Sequence, residues 1–289
     1  MKEDIKLFLD HLTKEKDYSP NTLAAYNSDL TQLGDFIRAQ QSVPSDNLQQ
    51  ALLNKDVIAR YMQELNEKKY SVSTIARKVA AAKSFLKFMV EQGKIKPEQA
   101  PKLASPQVSK PMPEPLTIAE VRRFLAEPAK SNSLEARRDK TMLELLYATG
   151  LRASELMALN IEDVNIKDST IRCVKRDSSF RVIPVDTYIL KMIGEYIREV
   201  RQKLLNNEKE SALILNMRGE RLTRQGFWQI IQGYADKAGL GNKVTPRSLR
   251  RSFAMHKLDG GVDLQSIQEI LGHAHISTTR AYKDIQSRS

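Results

Sequence analysis

The chain is nearly free of thiols. A single cysteine, Cys173, stands among 289 residues, so an internal disulfide is excluded and the sequence fits a reducing compartment. Cys173 lies in the alternating run IRCVK and reads as a packing residue. Histidine is scarce as well, with four in all, and no His/Cys group has zinc-ligand spacing. No metal or other cofactor is expected. No run of 18 apolar residues occurs, so no membrane span is expected. The opening residues MKEDIKLFLDHL are charged and amphipathic rather than a signal segment, and the expected location is cytoplasmic. Internal repeats and low-complexity tracts are missing too.

Hydrophobic residues make up 41%, which allows a sizeable core and argues against global disorder. The net charge is +11, an excess that suits a phosphate-backbone partner. The excess is uneven. Residues 1–105 carry 16 Lys and Arg against 13 Asp and Glu, and the remainder carries 30 against 22.

Apolar positions recur at helical spacing in 3–16, through Ile5, Phe8, Leu9 and Leu12. In YSPNTLAAYNSDLTQLGDFI, Ser19 reads as an N-cap and Pro20 as the first helical residue. Further helices fit 54–68 and about 72–91, the last stopping at Gly93. The first hundred residues therefore read as a small helical bundle. Six prolines fall in 97–115, a density that neither helix nor central strand tolerates. It reads as an extended linker between domains 1–96 and 116–289. Thr117 with Glu120 forms a capping box that opens the second domain. A helix over 134–149 ends at Gly150. Two alternating runs, about 170–175 and 181–185, read as a hairpin. The rest is mostly helical.

Three segments of the second domain carry chemistry. GLRASEL holds Arg152 and, three residues on, Glu155, placed to orient it or cap the helix. TPRSLRRSF holds Arg247 and Arg250, expected on one helix face, with Arg251 expected on another as a surface or DNA-backbone charge. LGHAHISTTRAYKDI holds His273 and Tyr282, with Ser277 capping the helix that carries Tyr282; His275 reads as surface. Singly these would be surface arginines and a packed tyrosine. Together they supply what metal-free phosphodiester cleavage requires. That reaction needs a nucleophile, cations on the non-bridging oxygens and an acid for the leaving oxygen. Arginine gives planar bidentate donors to phosphate.

These segments resemble the catalytic boxes of the tyrosine recombinase (integrase) family, and the chain is most similar to its Xer type. YSPNTLAAYNSDL and SVSTIARKVAAAKSFLKFM resemble the family's core-binding domain. The resemblance implies a mainly α fold: an N-terminal SAM-like helical bundle and a mixed α/β catalytic domain with a small β-hairpin. The two would close as a C-shaped clamp on duplex DNA. It implies Tyr282 as nucleophile, giving a 3′-phosphotyrosyl bond, and Arg152, Arg250, Arg247 and His273 on the phosphorane. The family pattern has histidine where this chain has Arg247, and arginine there is no proton acceptor. The family's catalytic lysine lies in the hairpin turn. Counting back from Arg181 and Pro184 places it on Arg176, a poor acid with a pKa above about 12. A turn one residue shorter places it on Lys175, the expected acid.

The resemblance also implies strand exchange through a Holliday junction by four protomers. The partners would be further copies or a paralogous recombinase, with a DNA translocase of the FtsK type as a possible activator. The role would be chromosome-dimer resolution or mobile-element integration and excision. Base contacts are expected from the fourth helix, with Arg77, Lys78, Lys83 and Lys87 as candidates. Seven residues follow Tyr282, so coupling between subunits would be weak or made by a short tail. Two other readings stand beside this one. A type IB topoisomerase shares the chemistry, and a non-catalytic DNA-binding regulator would keep only the clamp.

Overall fold

The computed structural model describes residues 1–16, 18–39, 53–101, 103–104, 106, 114–174, 179–273, 276, 278–280 and 282. The chain divides into two compact units, Met1–Pro111 and Met112–Ser289.

The first unit is helical. Helices α1 (Lys2–Lys16), α2 (Pro20–Ala39), α3 (Lys55–Glu67) and α4 (Val72–Glu91) follow the periodicity of their apolar residues. Each start has a side-chain cap where the sequence offers one. Ser19 accepts the Thr22 N–H at 3.2 Å, Asn54 accepts from Asp56, and Ser71 accepts from Thr74. Phe8 anchors the core, with the rings of Phe85 and Phe88 each 5.5 Å away. Full burial of each such ring stabilises by roughly 1.5–3 kcal/mol. The described start of the proline-rich segment is less extended than its composition predicts. Pro97–Gln99 forms a 3-10 turn, where proline sits at the first position and loses no helical hydrogen bond. Leu103 packs back on the helical core.

The second unit is built on α6 (Leu134–Thr149), which follows α5 (Ile118–Ala126). Met142, Leu143, Leu145 and Leu146 are all fully buried, so α6 is covered on several sides and lies at the centre of the core. Gly150 ends it in the left-handed region, at φ 60°. Any Cβ there would come within 2.5 Å of the Phe253 ring, so the position is closed to other residues by conformation and by space. The short helix α7 (Ala153–Ala158) follows. A three-stranded antiparallel sheet comes next, with order β1 (Val164–Asn165), β2 (Thr170–Val174), β3 (Phe180–Pro184). The two residues of β1 are too few to give a legible alternation. Ile171 pairs with Ile183 and Cys173 with Arg181, and these four face inward while Arg172, Val174, Phe180 and Val182 face out. Helices α8 (Thr187–Glu195), α9 (Arg224–Lys237), α10 (Pro246–Asp259) and α11 (Leu264–Leu271) complete the unit. A π-helical stretch, Tyr196–Arg201, continues α8. Residues 276, 278–280 and 282 are helical. Among the described residues, no helix is long and apolar enough to cross a membrane.

Candidate active site

The second unit brings Arg152, Arg250, His273 and Tyr282 to one place. Arg152 is the N-cap of α7, directly after the Gly150 turn. Its backbone N–H donates to Glu155 Oε2 at 2.7 Å and its Nη1 to Glu155 Oε1 at 2.6 Å. Nη2 reaches the Gly272 carbonyl at 3.3 Å. Glu155 therefore does both things its spacing offered: it caps α7 and holds Arg152. With 44% of its side chain exposed, Arg152 keeps donors for a ligand.

Arg250 enters from α10 and is 7% exposed. Its Nη1 and Nη2 donate to the carbonyls of Gly150 and Leu271, each at 2.6 Å. Glu155 Oε2 also lies 3.7 Å from its Nη1, so Arg250 shares that carboxylate with Arg152 and Arg181. Burial, then the charge of Arg152, pushes its pKa down to about 10, so it stays cationic at neutral pH.

His273 follows Gly272, which turns the chain at φ 63°. The His273 N–H donates to the Gln268 carbonyl at 3.2 Å, and its carbonyl accepts from Gln268 Nε2 at 3.1 Å. Its Nδ1 lies 2.8 Å from Thr279 Oγ1. Burial, then Arg250, Arg152 and Arg181, pushes its pKa down to about 4, so the imidazole is neutral at pH 7. The Tyr282 ring is centred 6.0 Å from it and packs on the small core of Phe253 and Leu271.

Beneath these groups lies Arg181, a residue the motifs did not single out. It forks onto Glu155, Nη1 to Oε1 at 3.0 Å and Nη2 to Oε2 at 2.8 Å, and its Nε donates to the Ile270 carbonyl at 2.8 Å. A Cβ on Gly272 would meet its guanidinium at 2.9 Å. Arg181 thus ties β3, α7 and the Leu-Gly-His turn together. Burial opposes ionisation of Glu155, but Arg181, the Arg152 N–H and the Arg152 side chain hold its pKa at about 2. Burial pushes the Cys173 thiol up to about 11, which leaves it protonated among these charges. Thr279, fully buried against His273, was also hidden in the sequence, because a threonine in a short helix has no mark of its own.

Three positions depart from expectation. Arg251 is 4% exposed, not a surface charge. It lines a cavity of about 590 Å³ together with Arg247, because residues four apart lie 40° apart on a helix, closer than the 60° between Arg247 and Arg250. Burial and the charge of Arg247 lower its pKa. Arg247 itself is exposed. Lys78 is not a candidate DNA contact. It is 6% exposed and bonds Asp29 at 2.9 Å inside the first unit, because it falls on the Ile75–Val79–Ala82 face of α4. Arg77 also ion-pairs with Asp29, while Lys83 and Lys87 are exposed. Lys175, Arg176, Lys102, Lys110, His275 and Ser277 lie outside the described residues. Among the described residues, no His, Cys, Asp and Glu group could hold a metal ion.

Two guanidiniums, a neutral imidazole and a phenol can bind a tetrahedral or pentacoordinate phosphorus and attack it. The comparisons with known proteins agree with that class. Residues 114–288 match the phage integrase family, and residues 5–93 match its N-terminal SAM-like domain. Tyrosine recombinase XerC of Roseiflexus sp. (strain RS-1) is 42% identical over 291 residues, covering 100% of this chain and 91% of the relative. Tyrosine recombinase XerD of Oceanobacillus iheyensis is 35% identical over 282 residues, covering 97% and 93%. Among solved structures, XerH site-specific recombinase bound to its palindromic difH substrate aligns with a TM-score of 0.73 at 21% identity. It covers 91% of this chain and 75% of that one, a likeness of fold. The fold and site define an enzyme that cleaves and rejoins DNA through a tyrosine. The chain belongs to the phage integrase family, and within it to the Xer-like tyrosine recombinases.

Proposed function

We propose that this chain recombines duplex DNA at a specific site, with Tyr282 as nucleophile. The observation that carries the reading is the convergence of Arg152, Arg250, His273 and Tyr282, which come from three separate segments. Tyr282 attacks the scissile phosphate, forms a 3′-phosphotyrosyl bond and releases a 5′-hydroxyl. Arg152 and Arg250 bind the non-bridging oxygens, where their charge counts most as the phosphorane forms. His273 contacts the same oxygens, and Arg247 adds a donor from its exposed position on α10. Lys175 is the candidate acid for the leaving oxygen. The bond energy stays in the phosphotyrosine, so the strand rejoins without a nucleotide cofactor.

In this reading residues 1–96 bind the core site, 97–115 link, and 116–289 cleave. Arg77, Lys83 and Lys87 are the remaining backbone or base contacts of the first unit. Four protomers, alike or paired with a paralogue, exchange strands through a Holliday junction in the cytoplasm, with a translocase as possible activator. Relatives named XerC and XerD support the pairing, and the role is chromosome-dimer resolution or mobile-element transfer.

The test is covalent trapping. The protein is incubated with genomic fragments made into nicked suicide substrates, denatured, and examined for a protein–DNA adduct beside Tyr282→Phe. The reading expects an adduct that the variant lacks, and the trapped sequence reports whether the site is chromosomal or an element end. Binding with no adduct, in the presence of every candidate partner, contradicts it.

A further inference from the structure

Arg247 stands where the family pattern has histidine, so another group must take the proton of Tyr282. We propose that His273 is the proton acceptor for Tyr282 during strand cleavage. This rests on the recombinase reading and orders the two roles of His273 at one edge: Nε2 first accepts the phenol proton and, once protonated, donates to the phosphorane oxygens.

The phenol must lose its proton as its oxygen bonds to phosphorus. Arg152, Arg250, Arg247 and Arg251 are guanidiniums with no lone pair to offer. Both oxygens of Glu155 accept bonds from Arg152 and Arg181. Among the described residues of the site, His273 is the acceptor that remains, its ring centred 6.0 Å from that of Tyr282. The buried Thr279 hydroxyl occupies the Nδ1 edge at 2.8 Å, which leaves Nε2 as the edge for an exchangeable proton.

The charges around the ring suit the task. Arg250 faces it from α10, Arg152 and Glu155 from α7, and Arg181 from β3. Burial, with the three cations, keeps the imidazole neutral and ready to accept. They also make it a weak base while no phosphate is present. The phosphorane places negative charge among the same arginines and offsets them, so proton affinity at His273 rises as the phenol proton departs. In the balanced step the Tyr282 O–H breaks and its proton goes to His273 Nε2. The phenolic oxygen–phosphorus bond forms, the bond from phosphorus to the 5′ oxygen breaks, and that oxygen takes a proton from the general acid. Rejoining returns both protons.

The experiment uses the full chain and the duplex recovered by covalent trapping, with sulfur replacing the 5′ bridging oxygen so that departure needs no acid. Single-turnover adduct formation is followed against pH for the unmodified chain, His273→Gln and His273→Ala. Glutamine retains a hydrogen-bond donor but is no base. The expected loss in His273→Gln is about 100-fold at neutral pH, with a rate that climbs about tenfold per pH unit where the unmodified chain is flat. Added imidazole should rescue His273→Ala in proportion to its neutral form. A His273→Gln rate within about threefold of the unmodified chain, rescue that follows imidazolium, or an equal loss in His275→Ala overturns the proposal while the adduct itself still supports the recombinase reading. No adduct from the unmodified chain overturns both.

Discussion

In the helical unit Asp29 lies between Arg77 and Lys78, and the buried charges close on one another. In the second unit five arginines are buried among the described residues: Arg138, Arg181, Arg201, Arg250 and Arg251. Arg138 has Asp139, but Arg181 and Arg250 share one carboxylate, Glu155, with the exposed Arg152. One carboxylate cannot cancel three guanidiniums, so this cluster keeps a net positive charge. Burial of charge without full neutralisation is costly. The first unit uses ion pairs to hold helices together. The second gathers three arginines on one carboxylate beside His273.

The sharpest way to break that contrast is Glu155→Gln. It leaves Arg181 buried without a counter-charge and loosens Arg152, so the unfolding free energy of the second unit should fall by about 3–5 kcal/mol, with cleavage lost alongside. Urea unfolding followed with a cleavage assay checks this. Asp29→Asn is the matching change in the first unit. Lys78 keeps Gln32 as a partner, so the expected loss is smaller, about 2–3 kcal/mol, and the cleavage rate of protein that remains folded and bound should not change. A large effect on single-turnover cleavage would contradict the division of labour.

Acidification offers a third test. The His273 pKa is lowered from 6.5 to about 4, so the unfolded chain binds the proton more tightly. Stability should therefore fall as pH drops from 6.5 towards 4, by about 1 kcal/mol after discounting a partly exposed ring, and His273→Gln should remove that part of the slope. Glu155, depressed to about 2, acts in a lower window, losing its contribution as pH falls from about 4.5 through 2. The smallest effect concerns Lys87, exposed on α4 beside Glu91. Lys87→Gln should change stability by less than about 0.5 kcal/mol and reduce the salt slope of DNA binding by about one, whereas Lys78→Gln should destabilise and leave that slope alone.

Much of this was legible in the sequence. The helices of the first unit follow apolar spacing and caps, and the site residues outside the hairpin turn follow three segments with distinctive spacing. What escaped was tertiary. Arg181 alternates inward on β3, but its partner Glu155 lies 26 residues earlier in a different element, and no local pattern joins them. Lys78 was legible in principle. It falls between Ile75, Val79 and Ala82 on the buried face, and Asp29 falls likewise between Tyr26, Leu30 and Leu33. Two opposite charges, each on an apolar stripe, are a readable sign of a buried pair. Arg251 shows the same lesson, since its spacing from Arg247 is that of helix neighbours.

The central claim of the proposed function is that the arginines gathered on Glu155 hold a phosphate for Tyr282. The most direct measurement is adduct formation on a nicked suicide duplex by the unmodified chain, Tyr282→Phe and Arg250→Lys, with DNA affinity measured in parallel. The account predicts a covalent adduct that Tyr282→Phe abolishes, that Arg250→Lys reduces by about 100-fold or more, and little change in affinity for either. An adduct that survives Tyr282→Phe, or an Arg250→Lys protein that cleaves at the full rate, would contradict it.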